Sequence, residues 1–227
     1  MITGSTRLVA LLGHPVAHSL SPQMQNAAFA ARGLDWAYVA LDLPPEVFRD
    51  AVVGLAASGF AGANVTAPHK VAAAQLAESD LPSVNTLVFD RQSIRGYSTD
   101  AQVLDGLVCD RPVVLGDGGS ARAFTHVLPR ATVFSRRGRW PPDVSGADLV
   151  VNATSERGDV LVRIGPRQTL VDLPYPETAT ARAAHDAGAR VIGGLEALVA
   201  QGAASFELWT GVPAPVEVMR AAVGLQP

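Results

Sequence analysis

Lysine, cysteine and long apolar runs are what this 227-residue chain has least of. Lys70 is its one lysine against 17 arginines, and Cys109 its one cysteine. A lone cysteine forms no internal disulfide, so the composition fits a reducing, cytoplasmic setting. Polar, Gly or Pro residues interrupt each apolar stretch well short of a membrane span, and MITGSTRLVALLG lacks the basic flank and long apolar core of a secretory leader. Charged residues make up 17% of the chain with a net charge of -3. That leaves no excess of base for a phosphate backbone, which argues against nucleic acid as a partner. No zinc, calcium or P-loop spacing occurs. His14, His126 and His185 have no second ligand at metal spacing and read as surface or packing residues, and no metal is expected. His69 reads equally as exposed or functional.

What is present is a 48% hydrophobic chain, long enough for one large or two small domains with an ample core. Apolar, β-branched runs alternate with Ala-rich helical stretches from end to end, the pattern of an α/β protein with mainly parallel sheets. RLVALLG, WAYVALDL, GANV and SVNTLVFD read as strands in the first half, and RPVVLG, ATVFSR, DLVVNAT, TLVDLPY and ARVIGG in the second. A helix over AQVLDGLV, just before Gly116, marks the expected boundary between the halves.

Three helix starts in the first half carry polar groups. Ser21 before Pro22 reads as an N-cap, with Ser19 two residues earlier, and such an arrangement of hydroxyls and free N–H groups suits a carboxylate. Thr66 is the expected cap of a helix with Lys70 in its first turn. A cation at the positive end of a helix dipole is disfavoured by up to about 1 kcal/mol, a poor place for a structural lysine and a reasonable one for a proton-transfer lysine. Where arginine supplies nearly all the positive charge, a single lysine marks a position at which a guanidinium, which keeps its proton, does not serve. Asp100 is the expected cap of the AQVLDGLV helix.

In the second half, Gly116-Asp117-Gly118-Gly119-Ser120-Ala121 follows a strand and opens a helix, as in a dinucleotide-binding turn. Ser135, Arg136 and Arg137 come after the next strand, where a Rossmann domain reads the adenosine ribose. Arginine there accommodates a 2'-phosphate, which points to NADP ahead of NAD.

Taken in order, GHPVAHSLSP, GFAGANVTAPHK, SVNT, GYSTDAQ, GDGGSARA, NAT, VDLPYPETAT and GLEALVAQGAASFELWTG resemble the motifs of the shikimate dehydrogenase family along nearly the whole chain. The resemblance implies two domains: an N-terminal α/β substrate domain, residues 1–101 completed by 200–227, and a truncated Rossmann-like NADP-binding domain, 102–199. In the family the two face each other across a cleft. It also implies reversible NADPH-dependent reduction of 3-dehydroshikimate, a step of the chorismate pathway of aromatic amino acid biosynthesis, with quinate or an aminoshikimate as alternative substrates. Carried over by position, Lys70 and Asp100 form the catalytic pair and Ser19 and Ser21 hold the substrate carboxylate. Asn64, Thr66, Asn85, Tyr175 and Gln201 contact the ring. Gly116, Gly118, Gly119, Ser120, Ala121, Ser135, Arg136 and Arg137 fall on the cofactor side, with Asn152 and Thr154 of the NAT motif and Gly194. The expected partner is a small cyclic polyol carboxylate, and the protein a monomer or homodimer.

The substrate half departs from the family pattern at Gln25, in place of a usual histidine, and at Ser98, in place of a usual asparagine. The cofactor half departs more. Asp117 replaces a small apolar residue, Glu156-Arg157-Gly158-Asp159 covers a usual Gly-Met, and Glu196-Ala197 replaces a second one. Between Arg137 and Asp148 there is room for neither the usual helix nor the usual strand. One edge βα unit is therefore expected to be missing, and the alternative reading is a shikimate-binding relative with weakened cofactor binding.

Overall fold

The computed structural model describes residues 2–90 and 93–226. The chain divides into two compact units, residues 1–99 with 199–227 and residues 100–198.

The first unit is built on a five-stranded sheet of order β2-β1-β3-β4-β5, comprising β1 Arg7–Gly13, β2 Trp36–Asp42, β3 Gly62–Val65, β4 Thr86–Phe89 and β5 Ile94–Tyr97. β1 runs parallel to β2 and β3, whereas β4 is antiparallel to both β3 and β5. The expectation of a mainly parallel sheet is therefore corrected in this half. Only a few residues separate β4 from β5, and a connection that short can join only antiparallel neighbours. β5, which the sequence pattern did not reveal, is a half-buried edge strand whose Arg95 and Gly96 break the apolar alternation.

Around this sheet lie α1 Ser21–Ala31, α2 Phe48–Ala57 and α3 Lys70–Leu76. The interior strand β1 is buried from Val9 to Gly13, as expected of a strand covered on both faces. Near the end of a long later helix, Trp209 donates its indole N–H to the Leu87 carbonyl at 2.9 Å. A Cβ at Gly62 would overlap both groups. Gly62→Ala is therefore expected to lower stability by about 1–3 kcal/mol, the usual cost of overpacking a rigid contact. A melting temperature equal to that of the wild type would show that this docking is looser than described.

The second unit carries β6 Pro112–Leu115, β7 Thr132–Phe134, β8 Leu149–Asn152, β9 Thr169–Asp172 and β10 Arg190–Ile192, all parallel in the order β10-β9-β8-β6-β7. Its helices are α4 Gly119–Val127 and α5 Ala179–Asp186. Residues 135–148 form neither helix nor strand, so the sheet stops at β7. That connection instead sends Val144 and Ala147 into the core beside Phe134, with Trp140 packed against them. The chain closes with α6 Gly194–Thr210, which runs from the second unit into the first, and α7 Val216–Ala222.

The expected helix starts are revised. α1 begins at Ser21 itself, with Leu20 in the cap position and no side-chain cap bond. α3 begins at Lys70, with His69 in the cap position and again no side-chain bond, so Thr66 is not its cap. Over AQVLDGLV the chain makes a 3-10 turn, Asp100–Leu104, in place of an α-helix. Among the described residues, no helix is long and apolar enough to cross a membrane.

Candidate active site

In the first unit, polar side chains gather in the interior, where each must find a partner. Strand register sets Asn64 beside Thr86, and Thr86 beside Tyr97. Asn64 Nδ2 donates to the Asn85 carbonyl at 3.2 Å, Thr86 Oγ1 at 3.1 Å and Ser205 Oγ at 2.9 Å, while its Oδ1 accepts from the Tyr38 hydroxyl at 2.8 Å. Both ends of this buried amide are thus engaged by the protein. Asn85 Oδ1 accepts the Thr99 N–H at 2.7 Å, and its Nδ2 donates to Thr99 Oγ1 at 2.9 Å and Gln201 Oε1 at 3.3 Å. Ser205 donates to the Gln201 carbonyl at 2.9 Å. The network joins β3, β4 and α6, and it fixes the positions of Asn85 and Gln201. Sequence reading missed Tyr38, Thr86, Thr99 and Ser205. For Ser205 a signal existed, since it lies four residues after Gln201 on the same helical face.

Lys70 is held by the backbone on either side of it. The Thr66 N–H donates to the Leu12 carbonyl at 2.8 Å, the Thr66 carbonyl accepts from the His69 N–H at 2.9 Å, and the Lys70 carbonyl accepts from the Val84 N–H at 3.0 Å. Gly13 is required beside this turn because a Cβ there would overlap the Thr66 methyl group. His69 is buried, bonded through Nε2 to the Leu43 carbonyl at 2.7 Å and stacked on Phe48 at 4.4 Å. It packs in the interior, which corrects the exposed position that the sequence left open to it. The Lys70 side chain remains half-buried.

At the start of α1, the Ser21 N–H donates to Ser19 Oγ at 3.2 Å. Ser21 is buried and Ser19 half-buried. One turn on, Gln25 is 0% exposed and donates to the Gly202 carbonyl at 2.9 Å, while its Oε1 has no partner among the described residues.

The second unit places its glycine turn as the sequence indicates. Gly116 has φ of 118°, and a Cβ there would lie 2.9 Å from the Ala153 carbonyl oxygen, so both conformation and space demand glycine. Gly118 occupies the N-cap of α4, with Gly119, Ser120 and Ala121 forming the first turn. Beside them opens a cavity of about 480 Å³ that Gly116, Asp117, Gly118, Ser135, Arg136, Arg137, Trp140, Thr154, Glu156 and Leu161 help to line. Apart from Asp117, the turn carries only small side chains, and with two arginines beside it the cavity offers backbone N–H groups and guanidinium groups of the kind that hold phosphates.

Arg139 does not line this cavity; its guanidinium lies 4.7 Å over the Phe134 ring. Asn152 is fully buried and shapes the turn after β8, donating to Asp172 Oδ1 at 2.6 Å and accepting from Thr154 Oγ1 at 2.7 Å. Burial pushes the Asp172 carboxyl upward despite its hydrogen bonds with Asn152 and Thr178. Gly194 opens α6 against the Leu173 and Pro174 carbonyls, where a Cβ would overlap them. Tyr175 and Asp100 both belong to this second unit and are half-buried. No cluster of three or more His, Cys, Asp or Glu residues suited to a metal occurs among the described residues.

Comparison with known proteins bears on both units. The family model for the shikimate dehydrogenase substrate binding domain matches residues 11–86, and that for the shikimate 5'-dehydrogenase C-terminal domain matches 194–223. The NADP(+) shikimate dehydrogenase of Anaeromyxobacter sp. (strain Fw109-5) is 39% identical in an alignment that covers 98% of each chain. The crystal structure of shikimate dehydrogenase from Aquifex aeolicus superposes with a TM-score of 0.87 at 30% identity, covering 99% of this chain and 100% of that one. The Thermus thermophilus enzyme, solved in complex with NADP(H) and shikimate, gives a TM-score of 0.82 at 30% identity over 96% of this chain and 98% of that one.

Proposed function

Because this chain belongs to the shikimate dehydrogenase family, we propose that it catalyses the reversible, NADPH-dependent reduction of 3-dehydroshikimate to shikimate. The observation that carries this reading is the end-to-end match at 39% identity with an NADP(+) shikimate dehydrogenase, in a chain that keeps both the Lys70 turn and a glycine cradle flanked by arginines.

Residues 1–101 with 200–227 are assigned to the ring acid, and 102–199 to the cofactor. Ser19 and Ser21 offer their hydroxyls to the carboxylate, charge-assisted donors stronger than neutral hydrogen bonds. Thr66, Asn85, Gln201 and Tyr175 are assigned to the ring substituents. Asn64 acts behind them, since its amide is engaged by Asn85, Thr86, Ser205 and Tyr38. Lys70 donates a proton to the carbonyl oxygen as it becomes a hydroxyl, and in the reverse direction its neutral amine takes that proton back. Asp100, as an acceptor, orients the neighbouring hydroxyl. NADPH, when bound, supplies the hydride. The lone Cys109, half-buried against the second unit's core, fits a cytoplasmic location.

Titration calorimetry with shikimate tests the substrate assignment. Heat of binding is expected without cofactor, and its absence in folded protein at millimolar ligand would contradict the assignment. Changing Ser19 and Ser21 together to Ala is expected to weaken shikimate binding by at least about tenfold, since both hydroxyl donors to the carboxylate are lost. Unaltered affinity would place the carboxylate elsewhere.

A further inference from the structure

The cavity beside the glycine turn contains a carboxylate that the family resemblance does not account for. Glu156 follows the NAT motif, where the family carries Gly-Met. Its Oε1 accepts the backbone N–H groups of Arg157 at 3.0 Å, Gly158 at 2.9 Å and Asp159 at 3.4 Å. Three donors converging on one oxygen fix the carboxylate in place. They also hold its pKa below the usual carboxylate range, with Arg136 adding to the effect. The second oxygen, Oε2, lies 3.7 Å from Arg136 Nη2. Arg136 also lies 5.8 Å over the Trp140 ring.

The guanidinium assigned to the adenosine 2'-phosphate therefore already faces an anion. A phosphate arriving there must displace or share that contact, and it meets a second negative charge a few ångströms away. A ribose 2'-hydroxyl suffers no such repulsion, and a carboxylate can accept a hydrogen bond from it. The two nucleotides are thus affected in opposite senses by one side chain. Arg136 is largely exposed, so water screens the pair and the effect is bounded.

We propose that Glu156 is a specificity-determining residue that moderates the preference for NADP over NAD by competing with the adenosine 2'-phosphate for Arg136. This inference rests on the cofactor reading given above. On this account the chain tolerates an acidic residue in a 2'-phosphate pocket because Arg137, on the same wall, makes no ion pair among the described residues and remains available to the phosphate.

The test is titration calorimetry of the full chain with 2',5'-ADP and with 5'-AMP, which carry the adenosine end of each cofactor without the nicotinamide. Glu156→Gln keeps an acceptor oxygen for the three N–H groups while removing the charge. It is expected to tighten 2',5'-ADP by about tenfold, the size of a single screened charge contact at short range, and to leave 5'-AMP within about twofold. In an Arg136→Ala background the gain is expected to shrink to about twofold, because the contested guanidinium is gone and only the screened repulsion between the two anions remains. An unchanged or weaker affinity of Glu156→Gln for 2',5'-ADP overturns the proposal, as does a full tenfold gain that persists in the Arg136→Ala background. Failure of the wild type to bind either nucleotide strikes instead at the cofactor reading.

Discussion

Lys70→Arg is expected to lower turnover by about two to four decades, the usual contribution of general acid–base catalysis, while substrate affinity changes far less. Arginine keeps the charge and most of the hydrogen-bonding reach, but a guanidinium does not release its proton in the working pH range. The turn that carries Lys70 is held by backbone bonds, through the Thr66 carbonyl to His69 and the Lys70 carbonyl to Val84. The substitution therefore leaves the local fold in place, and a loss of rate reports on chemistry. Steady-state kinetics over a range of pH separate the two roles. A variant with near-normal turnover at every pH would make Lys70 a fixed cation and remove it from proton transfer.

The second large effect concerns the cofactor. Replacing Arg136 and Arg137 together by Ala is expected to abolish the preference for NADP over NAD, a change of about one to two decades in relative affinity, while shikimate binding is retained. Both arginines line the cavity beside the glycine turn, and a phosphate dianion paired with guanidinium gains bidentate, charge-assisted bonds that a ribose hydroxyl cannot match. The preference of the wild type is expected to shrink as salt is raised, because both side chains are exposed and their charges are screened. Fluorescence titrations with NADPH and NADH check both statements. Equal binding of the two by the wild type at low salt would take the arginines out of cofactor selection.

The sequence made the chemistry of local segments readable more readily than contacts between distant ones. Lys70 stood out because it is the only lysine and sits in an ordered series of motifs, and the glycine turn because Gly116 to Gly119 falls between a strand and a helix. Helix caps were misread for a physical reason. Ser21, Thr66 and Asp100 all have the right side chain for a cap, but Leu20 and His69 precede α1 and α3 in a helix-like conformation that takes over the cap position. β5 escaped notice because Gly96 weakens its pattern, although that glycine is required where a Cβ would press on Ala77 and Val84 at 2.9 Å. The pairings within the polar network under the site were not legible, although Asn64, Asn85 and Gln201 were named and Ser205 lies four residues after Gln201. The network ties Asn64 to Tyr38 across 26 residues and to Ser205 across 141, and no local pattern encodes such pairings. Glu156 is a similar case, since its meaning depends on the fold bringing it to Arg136.

The shortened second unit is consistent with these roles. With residues 135–148 lacking the expected βα unit, the connection itself supplies Trp140 to the cavity wall and Val144 and Ala147 to the core. Apolar burial by a loop thus replaces part of what a helix and strand would cover.

The decisive measurement of the proposed activity follows the absorbance of reduced nicotinamide as purified protein is mixed with NADP+ and shikimate, then with NADPH and 3-dehydroshikimate. Turnover in both directions, faster with NADP than with NAD and lost in Lys70→Arg, is the expected result. A folded protein that binds shikimate yet neither forms nor consumes reduced nicotinamide with either dinucleotide would contradict it, and would make this chain a ligand-binding relative of the dehydrogenases.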